Sequence, residues 1–250
     1  MTSLRALTVA LALAGSAAAA SAQTTGPPLA TAMPSWASLI RDLPRDLGRL
    51  PSRTNALWLG GAGGLAWAVH PEDATLTRRA AGSHALDVTL RAGAALGSGG
   101  TQAGFALAVF TAGRLSGHAA TASIGADLVR AQIITGALTQ GLKRAVNRPR
   151  PNGGRLSFPS GHTSATIATV TVLQRRLGWR VGVPGYALTA YVAASRLQDN
   201  QHYLSDVIMG AGLGLVSGRI VTLGHGPHGF SVAPLALRGG GGIGFTTAWP

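Results

Sequence analysis

From Asn55 to about residue 223 the chain alternates apolar stretches with short polar breaks, and before Asn55 it does not. Apolar residues recurring at i, i+3 or i+4, and i+7 mark helices. On that criterion the spacing predicts helices over residues 56–69, 86–96, 103–114, 122–146, 161–177, 184–196 and 202–223. The strongest periodicity lies in 122–146, where Leu128, Ile133, Ile134, Leu138 and Leu142 recur at helical spacing. Pro149 and Pro151 stop that run, because proline lacks an N–H and restricts the residue before it. The simplest architecture is an all-α bundle of about six helices.

The two ends read differently. Residues 23–54 carry Pro27, Pro28, Pro34, Pro44 and Pro51, which predicts an irregular leader with at most a short helix over 36–47. The tail, residues 224–250, is rich in glycine. Two β-favouring runs, 230–237 and 243–249, flank its Gly cluster, so both a β-hairpin and an unstructured Gly-rich end fit. Pro234 would confine a strand there to an edge or a bulge. Residues 1–22 read as an export signal: Arg5, an apolar run from Ala6 to Ala14, then Ala20-Ser21-Ala22 as the cleavage site. Four segments follow: a signal (1–22), a Pro-rich leader (23–54), a helical domain (55–223) and the tail (224–250).

Composition narrows the chemistry. Hydrophobic residues make up 46% but aromatics only 5%, which suits closely packed Ala- and Gly-rich helices. There is no cysteine, which removes disulfides, thiolate nucleophiles and Cys-based zinc sites. The formal charge of +13 favours anionic partners such as phosphate esters or anionic lipid head groups. The export signal and the lack of aromatics interleaved with basic runs argue against nucleic acid. Beyond the signal and leader, the longest uncharged stretches, 92–113 and 156–174, are too polar for the strongly apolar run of about 20 residues that a confident membrane span requires. A soluble or peripheral protein and a weakly hydrophobic membrane bundle both fit, and the sequence carries no reading of oligomeric state.

Three segments concentrate residues that handle phosphate. In Lys143-Arg-Ala-Val-Asn-Arg-Pro-Arg150-Pro151, lysine offers a compact charge and arginine a fork for two oxygens. A solvated basic helix end would read the same way. In Phe158-Pro159-Ser160-Gly161-His162, Ser160 is the expected N-cap of a helix whose free N–H groups form an anion site. Gly161 lets the backbone come close to that anion, and His162 sits in the first turn beside it. An ordinary capped helix with a surface histidine is the plainer alternative. In Ser195-Arg196 through His202-Tyr-Leu-Ser-Asp206, a helix would put His202 and Asp206 on one face. There the carboxylate could accept the Nδ1–H and leave Nε2 bare for attack. An isolated surface pair would have the same spacing. His70, His84, His118, His225 and His228 have no partner at useful spacing. Arg144, Arg148 and Arg155 lie near the motifs, where they could reach a larger substrate.

Together, Lys-x6-Arg-Pro, Pro-Ser-Gly-His and Ser-Arg-x5-His-x3-Asp follow in order within 64 residues. This set resembles the type 2 phosphatidic acid phosphatase superfamily, which includes bacterial acid phosphatases and vanadium haloperoxidases. The resemblance implies a helical, metal-independent phosphatase with no cofactor, exported to the periplasm or the periplasmic face of the membrane. Its partner would be a phosphorylated small molecule or lipid: a lipid phosphate, an isoprenoid pyrophosphate or a soluble phosphomonoester. It further implies that Lys143, Arg150, Arg196, Ser160 and Gly161 hold the phosphoryl oxygens. His202 would be the nucleophile oriented by Asp206, with His162 as general acid and base. A vanadate-dependent haloperoxidase would use the same cradle, and a non-catalytic anion- or lipid-binding envelope protein would need only its cations.

Overall fold

The computed structural model describes residues 32–81, 84–223, 230–237 and 240–247. The export signal read at 1–22 lies outside the described residues. The helices are α1 (Ser38–Arg41), α2 (Leu43–Leu47), α3 (Arg53–Val69), α4 (Asp73–Ala81), α5 (His84–Gly97), α6 (Gly99–Leu115), α7 (Ala119–Val146), α8 (Gly161–Leu177), α9 (Trp179–Gln198) and α10 (Leu204–Thr222). A single 3-10 turn, His70–Glu72, joins α3 to α4. Strands β1 (Phe230–Leu237) and β2 (Gly240–Thr247) pair antiparallel, with Pro234 opposite Ile243.

Among the described residues, eight helices of nine residues or more make this all-α bundle larger than the six or so expected. The addition without any apolar signature is α4. Its buried positions are Asp73 and Thr77, both polar, so no hydrophobic period announces it. At its start, α9 runs five residues further than the spacing suggested, from Trp179 with Pro184 inside the helix. Gly178, at φ +85, turns the chain sharply between α8 and α9.

The long helix α7 packs against α6, α8 and α10. Phe110, Leu128, Ile134, Val172, Val216 and Ile220 meet there with almost no exposed surface. On α10, Gly210, Gly214 and Gly218 form a stripe at i, i+4 and i+8 facing α8. A Cβ at these positions would strike the carbonyls of Ser160, Ser164 and Ala168 respectively. The absent side chains let α8 and α10 approach to backbone contact. That contact joins two helix N-termini, and the Ser160 N–H donates to the Asp206 carbonyl at 2.9 Å.

Only α10, among the described residues, has the length and hydropathy of a membrane span, and two-thirds of that window is buried in the bundle. Other helices carry exposed large apolar side chains, including Leu57, Trp67, Leu107 and Leu115.

Candidate active site

Lys143 lies in the last turn of α7, which Asn147 ends in the left-handed conformation at φ 47. The chain then folds back on itself, with Ser157 N–H donating to Arg148 O and Arg150 N–H to Gly154 O, both at 2.8 Å. Lys143 Nζ donates to Leu156 O at 2.5 Å and to Ser157 O at 3.2 Å. Arg150 donates to Arg155 O at 3.0 Å and to the Gln201 amide oxygen. Neither cation has a carboxylate within ion-pair distance among the described residues. Burial, with the Arg150 charge behind it, lowers the Lys143 pKa to about 8 against the pull of Asp206.

At the start of α8, Ser160 is the N-cap. Its fully buried hydroxyl accepts from Thr163 Oγ1 at 3.1 Å and Thr163 N at 3.5 Å. Its N–H is taken by the Asp206 carbonyl, so the hydroxyl caps α8 while the N–H ties the start of α8 to α10. His162, in the first turn of α8, is held by the Ala94 carbonyl at the end of α5. Gly97 packs against it and Val192: a Cβ there would strike Val192 Cγ1 and lie 3.2 Å from His162 Cβ. Burial, then the charges of Arg196, His202 and Arg150, lower the His162 pKa to about 4; the Ala94 bond opposes them.

His202 is not on a helix. It lies just before α10, whose N-cap Tyr203 is extended. Asp206, in the first turn, reaches back instead of across a helical face: Oδ2 accepts the Tyr203 N–H at 2.8 Å and the Ser157 hydroxyl. The same oxygen faces His202 Nδ1 at 3.6 Å, beyond a direct hydrogen bond. Ser157 Oγ stands 3.5 Å from that nitrogen. Nδ1 therefore points at Asp206 and Ser157, and Nε2 occupies the opposite edge of the ring. Burial lowers the His202 pKa and outweighs Asp206, with Lys143 and Arg150 adding to the effect. Burial works to raise the Asp206 pKa, but the facing imidazole, Ser157, the Tyr203 N–H and Arg148 together hold it below the usual value.

A cavity of about 610 Å³ brings these parts together. Lys143, Arg150, Gly161, His162 and His202 form its wall at one end. Ser160, Arg196 and Asp206 lie behind that wall. Arg196 is buried, paired with Asp199 and bonded to Ser195 Oγ at 3.2 Å, and its charge reaches His162. From the cationic end the cavity continues along one face of α7 (Gln140, Gly136, Ile133, Val129) and one face of α6 (Gly99, Ala103, Leu107). Val129 to Lys143 spans about 21 Å of helix at 1.5 Å per residue. Leu107 and Ile133 are exposed, so this groove opens outward. Among the described residues no group of three or more His, Cys, Asp or Glu side chains is placed to hold a metal ion. What the cavity offers is cations and two neutral imidazoles, a set that suits a phosphoryl anion.

Ser157, Ala94, Gly97, Asp73 and Arg148 also support the site, and residue spacing singled out none of them as such. Arg148 had been a candidate for reaching a larger substrate; it points inward, to Ser205 Oγ and Asp206 Oδ1. No local pattern could have found Asp73, because it acts across the fold.

Residues 152–229 match the model of the PAP2 superfamily. The chain is 33% identical over 91 residues to a lipid A 1-phosphatase of Porphyromonas gingivalis, covering 35% of this chain and 20% of that protein. It is 36% identical over 90 residues to a decaprenylphosphoryl-5-phosphoribose phosphatase of Mycobacterium tuberculosis, covering 32% of this chain and 49% of that one. The chain thus spans a fifth of the first relative's length and about half of the second's. In fold it is similar to a transmembrane PAP2 type phosphatidylglycerolphosphate phosphatase from Bacillus subtilis. The TM-score is 0.53 at 18% identity, over 74% of this chain and 93% of that one. Family match, matched relatives and helical architecture point the same way: residues 152–229 are similar to the PAP2 superfamily, and the fold is similar to that of a PAP2 type phosphatase.

Proposed function

We propose that the protein is a phosphatase that hydrolyses lipid phosphomonoesters at the periplasmic face of a bacterial envelope, through a phosphohistidine on His202 and without a metal ion. One observation carries the reading: two histidines and two cations without carboxylate partners end an apolar groove about 21 Å long. Phosphate would lodge at the cationic end, and a hydrocarbon chain would lie between α6 and α7. The substrates for which the two relatives are named, lipid A and a decaprenylphosphoryl compound, support that class. The signal-like residues 1–22 support the location.

In this mechanism Lys143 and Arg150, with Arg196 behind them and the first N–H groups of α8, balance the charge that develops on the phosphoryl oxygens. Ser160 holds the α8 N-terminus in place for that task. His202, neutral at neutral pH, attacks phosphorus through Nε2 while Asp206 sets its orientation. The bond from phosphorus to the ester oxygen breaks, and His162 gives the leaving alcohol its proton. His162 then takes a proton from water; the hydroxide attacks phosphorus and the N–P bond breaks, releasing phosphate and restoring His202. In the empty site His162 is neutral above about pH 4. An arriving phosphate dianion offsets Arg150 and Arg196 and raises that pKa, so the substrate itself equips His162 to act as an acid.

Phosphate release from a long-chain lipid phosphate and from para-nitrophenyl phosphate, each with and without a chelator, tests the reading. His202→Ala should lower kcat roughly a thousandfold or more on both substrates; wild-type turnover would remove the nucleophile assignment. Leu107→Trp, which fills the groove, should raise KM for the lipid while leaving the small ester unchanged. Equal effects on both substrates would remove the lipid assignment, and loss of activity to the chelator would remove the metal-free mechanism.

A further inference from the structure

Behind the nucleophile, Asp206 of the third motif joins a cluster whose other members, Arg148, Ser205 and Asp73, stand at no defining position of the three phosphate motifs. Arg148 bridges two buried carboxylates. Its Nη1 donates to Asp206 Oδ1 at 2.7 Å and to Ser205 Oγ at 2.7 Å, and its Nη2 donates to Asp73 Oδ2 at 2.9 Å. The guanidinium carbon stands 4.1 Å from the centre of the Tyr203 ring. Asp73 in turn accepts the Ser205 N–H at 3.0 Å and the Ser205 hydroxyl, so a residue of α4 caps the N-terminus of α10. Asp73 and Asp206 are almost wholly buried. Arg148 does not line the cavity that holds His202 and Lys143; it borders a smaller one of about 240 Å³ on the far side, with Trp67, His70 and Ser205.

We infer that Arg148 is a positioning residue for the nucleophile: anchored by Asp73, it fixes the Asp206 carboxylate, and through it the His202 imidazole, without touching substrate. This rests on the reading of His202 as nucleophile. The planar fork is what permits the task, because two parallel donors span two carboxylates that a single ammonium could not bridge in the same geometry. With one oxygen of Asp206 held by Arg148 and the other by Ser157 and the Tyr203 N–H, the carboxylate cannot rotate away from Nδ1. Asp73 and Ser205 lock Arg148 in turn.

Removing the cation should also change titration. The charged and titratable groups around Asp206 and His202 are Lys143 from α7, Arg148 and Arg150 from the loop after it, and His162 from α8. Arg196 of α9 lies behind His162. Asp73 of α4, Tyr203 and, across the small cavity, His70 flank Arg148. Arg148 lowers the Asp206 pKa, so its loss raises it. Loss of a nearby cation also raises that of His202. Both changes move the acidic limb of the kcat profile to higher pH.

The test is steady-state kinetics of the full chain on para-nitrophenyl phosphate for Arg148→Ala, Arg148→Lys, Asp73→Asn and the double variant, with inorganic phosphate as competitive probe. Arg148→Ala should lower kcat at least tenfold, keep KM and the phosphate inhibition constant within about twofold of wild type, and shift the acidic limb upward. Arg148→Lys should keep the limb near its wild-type place but lose part of kcat, since it restores charge and not the fork. Asp73→Asn, nearly isosteric, keeps the test open should Arg148→Ala fail to fold. It should lower kcat by a smaller factor, and the double variant should lose less than the product of the single losses. A rise in KM and in the phosphate inhibition constant with an unmoved limb would make Arg148 a substrate contact and overturn the inference. Unchanged kcat per folded molecule would overturn it too. Wild-type turnover by His202→Ala would instead strike at the nucleophile itself, independently of any Arg148 result.

Discussion

Two buried charge clusters sit at opposite ends of the bundle, and they are built to opposite rules. Away from the active site, Arg130 donates to Asp46 at 2.7 Å and to Asp127 at 2.6 Å, while Arg49 and Arg176 close on the same two carboxylates at 3.1 and 3.4 Å. This cluster ties the leader helix α2 to α7, and Arg49 also holds Ile220 O at the end of α10. Each buried charge there has its opposite within reach. At the active-site end, Lys143 and Arg150 rest on carbonyl and amide oxygens. Asp206, the carboxylate whose charge is felt at Lys143, is already committed to Arg148, Ser157 and Tyr203. The first cluster is complete as it stands, and the second has a positive excess that an anion would complete. Burial alone does not mark a functional site; an uncompensated buried charge does.

Breaking the paired cluster should produce the largest change, and in stability. Arg130→Ala takes from Asp46 and Asp127 the buried cation they share, leaving only Arg49 and Arg176 at their edges, and should cost about 3–5 kcal/mol, read by chemical denaturation. Turnover per folded molecule should be little affected. Lys143→Met should do the reverse. Its removal relieves a desolvated cation, so the empty protein should be no less stable, while kcat/KM falls roughly a hundredfold or more for loss of one donor to the developing oxyanion.

The pH dependence sharpens the same contrast with smaller effects. Lys143 has a folded pKa of about 8 against an ordinary 10.5, so between those values the unfolded chain holds more protons. Stability contributed by this group should therefore rise with pH from about 8 to 10.5, while activity falls as the ammonium is lost. His162, at about 4 against 6.5, should weaken the fold as pH drops through that window, and bound phosphate should reduce the loss. Thermal melts across pH, with and without phosphate, read both signs.

Much of this was legible locally. Helix α8 begins at Gly161 and ends at Leu177, where an N-cap Ser160 and the glycine at 178 put its ends. The spacing placed α7 to within three residues of its start and at its last residue, because its apolar period is long and two prolines follow it. Helix α4 was invisible, since its buried face is Asp73 and Thr77. The helical geometry expected of His202 and Asp206 was wrong for a related reason: four residues apart fits a helix face, but it also fits a carboxylate folding back over its own helix start.

The sequence alone determined seven of the eight long helices, the ends of α8 and the order of the phosphate motifs, because periodicity, capping residues and prolines act within a turn or two of where they stand. Only the tertiary structure decided which charges are free to meet an anion and which are already matched. Arg148 lies beside Lys143 and Arg150 in the chain, yet it turns away to a carboxylate 75 residues distant, and that carboxylate caps a helix 132 residues further on. Charge compensation of this kind depends on contacts between distant segments. Without them, three neighbouring cations look alike.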